Sequence, residues 1–216
     1  MSAPYLNTLD KKRAGTFLKL RNFSDKFVLA GGTAVMLLTN YRLSFDFDCF
    51  STKPLKRSLL VKARRVFGDD INIQVDNSKL LLFTTADKVK VDFVHFPYPP
   101  IHPTLRTKSI SLFDLRDLAS NKAYTIGRRA TWRDYADMFF LAEKFGLDLI
   151  IKEANKRFKG EFSEKLFLEQ LVYFDDLEIL PIEFIEKPYT NKEIRDRLQS
   201  VVEEYTQKKV RVNDVH

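Results

Sequence analysis

The sequence predicts an α+β protein: a mixed β-sheet with flanking helices in residues 1–110, then a helical lobe over 111–216. Three observations carry that assignment. Every strand-like run, whether alternating or β-branched, ends by Phe96. The segment Pro97-Tyr98-Pro99-Pro100, with Pro103, can extend neither a ladder nor a helix and marks the boundary between the lobes. From about Leu112 onward, apolar residues recur three and four apart.

Leu9, Ala14, Phe17, Leu18 and Phe23 are spaced for an amphipathic helix across a core, over about Thr8 to Asn22. Lys26 to Ala30 is a short apolar strand that stops at Gly31-Gly32, and Thr33 to Leu38 restarts as a helix. Ser44 to Phe50 alternates with period two, which places Asp46 and Asp48 on one face of a strand and turns Phe45 and Phe47 to the core. Pro54 ends that strand, and a basic helix follows from about Leu55 to Phe67, carrying Lys56, Arg57, Lys62, Arg64 and Arg65. Three more strands, Ile71–Val75, Leu80–Thr85 and Val89–Phe96, are separated by Asp76-Asn77 and Asp87-Lys88, so the sheet is mixed or antiparallel. In the second lobe, Leu115, Leu118, Ala119, Ala123 and Ile126 follow helical spacing, as do Tyr135, Met138, Phe139, Ala142 and Phe145. Gly127 and Gly146 are the expected stops, and Pro181 and Pro188 interrupt the pattern later.

Charge is distributed unevenly between the lobes. Residues 1–110 hold 18 Lys and Arg against nine Asp and no Glu, whereas residues 111–216 hold 18 against 20. The overall +7 therefore hides a front half at +9, a surface suited to polyanions. A single cysteine, Cys49, rules out an intramolecular disulfide and fits a reducing compartment. The three histidines are scattered without the spacing of a zinc site. The longest apolar stretch, residues 27–39, is broken by glycines and too short to span a bilayer, and the first residues lack a secretory apolar region. These features predict a cytoplasmic protein with no membrane partner.

Asp46-Phe47-Asp48 is the most informative chemical feature. Two carboxylates on one strand face repel unless a cation lies between them, and oxygen donors of that kind suit Mg²⁺. A solvated strand face is the competing explanation. Gly31, Gly32 and Thr33, where a strand meets a helix, would let a phosphate approach the backbone and reach free N–H groups and a hydroxyl. Asp92 interrupts an otherwise β-branched and aromatic strand, so it faces either solvent or a site beside Asp46 and Asp48. Three carboxylates on adjacent strands can bind two Mg²⁺ ions around a nucleoside triphosphate. The basic helix, with Lys53 before it, is where an RNA backbone would run, unless it is simply a solvated face.

Two separated blocks of the chain resemble a known family. Leu29-Ala30-Gly31-Gly32-Thr33-Ala34, then Arg42-Leu43-Ser44-Phe45-Asp46-Phe47-Asp48-Cys49-Phe50-Ser51, is similar to the "AGGTAL…RxSxDxDFFS" signature of AbiEii-type nucleotidyltransferases, toxins of abortive-infection toxin–antitoxin pairs related to the MenT toxins. Asp117 to Ala123 and Arg128-Arg129-Ala130-Thr131-Trp132-Arg133-Asp134-Tyr135-Ala136-Asp137 resemble the family's second block. The likeness covers about Phe27 to Leu147; Phe47 and Cys49 depart from the usual residues but leave the carboxylates intact.

The resemblance implies a polymerase-β-like nucleotidyltransferase core, completed by the helical lobe and using NTP and Mg²⁺. It further implies that Asp46 and Asp48 hold metal, that Ser44 and the glycines line the triphosphate, that Lys122 and Arg133 face phosphate, and that Asp134 supports activity. Asp92 rests on the three-carboxylate logic and on strand order rather than on the motif. Lys122 sits on a largely apolar helix, where it needs an anion unless it snorkels to the surface; Arg133 and Asp137 lie four apart, as in a plain helical ion pair. The implied reaction transfers NMP to a hydroxyl, with RNA such as a tRNA 3′ end as acceptor and a winged-helix antitoxin as partner. A small-molecule transferase of the aminoglycoside-modifying kind, or a non-catalytic nucleotide- or RNA-binding protein of the same fold, are the competing readings.

Overall fold

The computed structural model describes residues 3–128 and 130–213, and these divide into two compact units between Leu118 and Ala119. The first opens with α1 (Lys11–Lys19), capped by Asp10, whose carboxylate accepts from the Arg13 amide at 2.9 Å. A 3-10 turn, Leu20–Phe23, leads to β1 (Val28–Ala30), which passes without a loop into α2 (Gly31–Thr39). Asn40 closes α2 in the left-handed region, its amide donating to the Met36 carbonyl. Next come β2 (Phe47–Ser51), α3 (Ser58–Phe67), β3 (Asn72–Asp76), β4 (Leu80–Thr84) and β5 (Lys90–His95).

The sheet order is β1-β2-β5-β4-β3. It is mixed: β2 and β5 run parallel, and the other neighbours are antiparallel. A parallel pair cannot be joined by a tight turn, so α3 and the β3–β4 hairpin fill the chain between β2 and β5. Register sets Phe47 opposite Val91, Asp48 opposite Asp92 and Cys49 opposite Phe93. Because strand side chains alternate, Phe47, Cys49, Leu81, Phe83, Val91 and Phe93 share one buried face. Rings from outside the sheet cover it: Phe93 lies 4.7 Å between centroids from both Phe23 and Phe27, and Phe67 packs on Phe83. Each such ring stabilises the fold by about 1.5–3 kcal/mol through burial. The other face carries Asp48, Lys90 and Asp92.

Phe45 departs from expectation. It is exposed, with the Arg13 guanidinium 4.8 Å above its ring, because the strand begins at Phe47 and period two does not reach back to Ser44.

The division between units falls within α4 (Leu115–Ile126), followed by α5 (Trp132–Phe158), α6 (Glu164–Leu171) and α7 (Asn191–Asn213). Gly146, at φ 72°, breaks α5 into two helical stretches. α7 packs along α5, and α6 packs on both. Trp132 and Tyr135 anchor this core with their polar tips satisfied: the indole N–H donates to Asn191 Oδ1 (3.1 Å) and the phenol to the Gln170 carbonyl (2.8 Å). Among the described residues, no helix is long and apolar enough to cross a membrane.

Candidate active site

In the first unit the sequence-predicted residues converge at the junction of β1, α2 and the two central strands. Gly31 begins α2 at φ +64°, a conformation that L side chains rarely adopt. A Cβ there would lie 1.8 Å from Asp48 Oδ2, so the Asp48 carboxylate rests directly on the glycine. At Gly32 a Cβ would lie 2.8 Å from Arg42 Nη2 and 2.9 Å from Ser44 Oγ. The absence of side chains at the two glycines lets this chain's own Asp48, Arg42 and Ser44 approach the first turn of α2 closely.

Thr33 is buried inside the first turn, where its hydroxyl donates to the Asp46 carbonyl and lies 3.1 Å from Ser44 Oγ. It braces the loop that precedes β2. Arg13 braces the same loop from α1, donating to the Ser44 carbonyl at 2.6 Å while Asp10 holds its Nε at 2.9 Å. Asp46, just ahead of the strand, is half-exposed; Asp92, directly opposite Asp48, is nearly buried. The parallel pairing of β2 with β5 therefore sets Asp92 beside Asp48.

A residue not foreseen from sequence occupies the centre. Lys90 Nζ lies 3.3 Å from Asp92 Oδ2 and 3.9 Å from Asp46 Oδ2. Burial works to lower its pKa, but Asp92, then Asp46 and Asp48, outweigh that and hold it above the ordinary lysine value. Among the described residues, no three His, Cys, Asp or Glu side chains stand close enough to grip an ion as they are, and the Lys90 ammonium is a cation shared by Asp46 and Asp92. The period-two relation of Lys90 to Asp92 on one strand was the available signal. Arg42, 3% exposed, was in the quoted motif without a role.

The second unit holds its own cluster. Lys122 Nζ pairs with Asp134 Oδ1 and with Asp137 Oδ2, both at 2.7 Å, and Asp137 is fully buried. The anion that the buried lysine requires is thus supplied by two aspartates. Asp134 also accepts from the Thr131 amide (2.8 Å) and hydroxyl (2.9 Å), capping α5. Burial pushes the Asp134 carboxyl up, yet Lys122 and Thr131 together hold it below the usual carboxylate range. Arg133 is exposed, and Arg129 lies outside the described residues.

A family model for the nucleotidyl transferase AbiEii toxin of a type IV toxin–antitoxin system matches residues 16–211. The chain belongs to the AbiEii nucleotidyltransferase toxin family. The match runs through α6 and most of α7, well past the last motif visible in the sequence. An uncharacterized Aquifex aeolicus protein, aq_aa25, is 30% identical over 186 residues, covering 84% of this chain and 88% of that one. Solved structures share the fold: a candidate nucleotidyltransferase from H. pylori (21% identity, TM-score 0.57, 94% of this chain and 99% of that one) and the MenT4 nucleotidyltransferase toxin of Mycobacterium tuberculosis (14%, 0.55, 87% and 80%). This AbiEii chain is accordingly an α+β nucleotidyltransferase, with Asp48 and Asp92 paired on adjacent parallel strands of its sheet.

Proposed function

We propose that this AbiEii protein transfers a nucleoside monophosphate from NTP to a hydroxyl of RNA, a tRNA 3′ end by preference, and arrests growth by doing so. The observation that carries the reading is that one ammonium, Lys90, contacts both Asp46 and Asp92, while strand register sets Asp48 beside Asp92 at the start of α2. The donors suit a hard divalent cation, being carboxylate oxygens around a point that already stabilises an ammonium. Asp46, Asp48 and Asp92 would hold Mg²⁺, two ions in all, once Lys90 swings aside. Bound magnesium would lower the pKa of the attacking hydroxyl and stabilise charge on the triphosphate.

The chain's own residues supply the rest. The first-turn amides of α2 have no intrahelical acceptor and offer N–H groups to phosphate oxygens. Ser44, Arg42 and the displaced Lys90 add a hydroxyl and two cations around the same oxygens. Transfer joins the acceptor oxygen to the α-phosphorus and breaks the bond from that phosphorus to the pyrophosphate oxygen, while the hydroxyl proton passes to solvent. Lys122 and Asp134 support activity from the second unit, with Lys122 exchanging an aspartate for a phosphate; Arg133, exposed on the same helix, is a further phosphate contact. The toxin family implies an antitoxin, for which a winged-helix partner in the cytoplasm is the expectation.

Incubation with labelled NTPs, Mg²⁺ and total RNA should label RNA, and Asp46→Ala should abolish the labelling. Equal labelling by that variant overturns the metal role, and label found in a small molecule instead of RNA reassigns the acceptor.

A further inference from the structure

Away from the carboxylates, the first unit contains a second feature that the transfer chemistry does not use. A cavity of about 330 Å³ opens where the chain enters β1 and leaves β2, lined by Lys26, Phe27, Lys53, Lys56 and Lys62 over Phe23. Register places it at the opposite end of these strands from the candidate active site. Ala30 pairs with Asp48 at one end, Val28 pairs with Phe50 toward the other, and the cavity residues lie beyond that second end. The three steps from Asp48 to Ser51 alone span about 10 Å at strand rise.

Its charge is one-sided. Four lysines face a single carboxylate, Asp25, whose contacts are long, 3.9 Å to Lys26 and 4.0 Å to Lys62. Among the described residues no carboxylate pairs with the Lys53 or Lys56 ammonium. Lys62 is held in place by its position 5.0 Å above the Phe23 ring. The floor decides which part of a nucleic acid fits. Phe23 and Phe27 are 1% and 4% exposed, so neither offers an open face for a base to stack on. What the cavity presents is a set of ammonium groups on a rigid aromatic base, and that matches phosphates.

We propose that this cavity binds the phosphodiester backbone of the RNA acceptor, as a docking site separate from the catalytic carboxylates. The inference rests on RNA being the acceptor. A docked strand must extend from this cavity to the start of α2 to reach the carboxylates, so an acceptor too short to span both places would lose this contact.

The test is fluorescence anisotropy of a labelled single-stranded RNA titrated with the full-length protein over a range of NaCl concentrations. It compares wild type, the double variant Lys53→Gln/Lys56→Gln, and Lys165→Gln as a charge control on α6. The double variant should bind roughly tenfold more weakly, with a log–log salt slope shallower by about 1.4, since each lost single-strand phosphate contact removes about 0.7; the control should match wild type. Wild-type binding that the double variant reproduces in affinity and slope overturns the docking site and leaves the RNA reading intact. Absence of RNA binding by wild type overturns both. Loss of poly-glutamate binding with RNA affinity unchanged assigns the patch to an acidic polypeptide and overturns the proposal.

Discussion

At the scale of single residues, the tightest constraint is Gly31. Its positive φ costs an L residue about 1–2 kcal/mol, and any Cβ must displace the Asp48 carboxylate. Gly31→Ala is expected to abolish transfer as fully as Asp48→Ala while also lowering the melting temperature, and side-by-side activity and thermal melts would check both. Lys90 is constrained differently. Replacing it by Met removes the ammonium that contacts both Asp46 and Asp92, so Lys90→Met should be less stable in chelator yet gain more in melting temperature from added Mg²⁺ than wild type does, read by melts with EDTA and with Mg²⁺. The carboxylates were legible as Asp-x-Asp plus an acid breaking an apolar strand. The place of Arg42 over Gly32 was not, since Arg42 reaches it from the loop ahead of β2, where no alternation points to a face.

At the scale of elements, the start of α5 joins a cap to a buried ion pair through one aspartate. Lys122→Met removes the ammonium that the wholly buried Asp137 and the nearly buried Asp134 share, and should cost about 3–5 kcal/mol, measurable by denaturant unfolding. The pH dependence follows from the direction of the Asp134 shift. Its folded-state pKa is depressed, so its contribution is complete above the ordinary carboxylate value near 3.9 and disappears as pH falls through the lower folded value. Asp134→Asn should therefore lose part of the wild-type difference in stability between pH 6 and pH 2. Helical spacing revealed α4 and α5, and Gly146 as a break. It could not reveal that Lys122 is met by Asp134 and Asp137 together, because that depends on how α4 packs against α5.

At the scale of the whole molecule, the basic surplus of residues 1–110 belongs to the same unit as the carboxylates of the candidate site. Raising salt should increase the KM for RNA far more steeply than the KM for NTP, because many screened phosphates are involved in the first and few in the second; steady-state kinetics at several NaCl concentrations would measure the difference. The order of strands along the chain was readable, but their order in the sheet was not. Period two identifies a strand's faces without naming its neighbour, and a mixed or an antiparallel sheet suited the pattern equally well. The parallel pairing of β2 with β5 settles it, and it also governs when the protein becomes active. Asp48 and Asp92 become neighbours only after the 38 residues between β2 and β5 have been made and β5 has inserted between β2 and β4. Closing so long a loop is a late, entropically costly step. On the proposed chemistry, a nascent chain still on the ribosome is harmless to its host until that strand slots in, so a toxic activity is withheld by topology through the first part of its own synthesis.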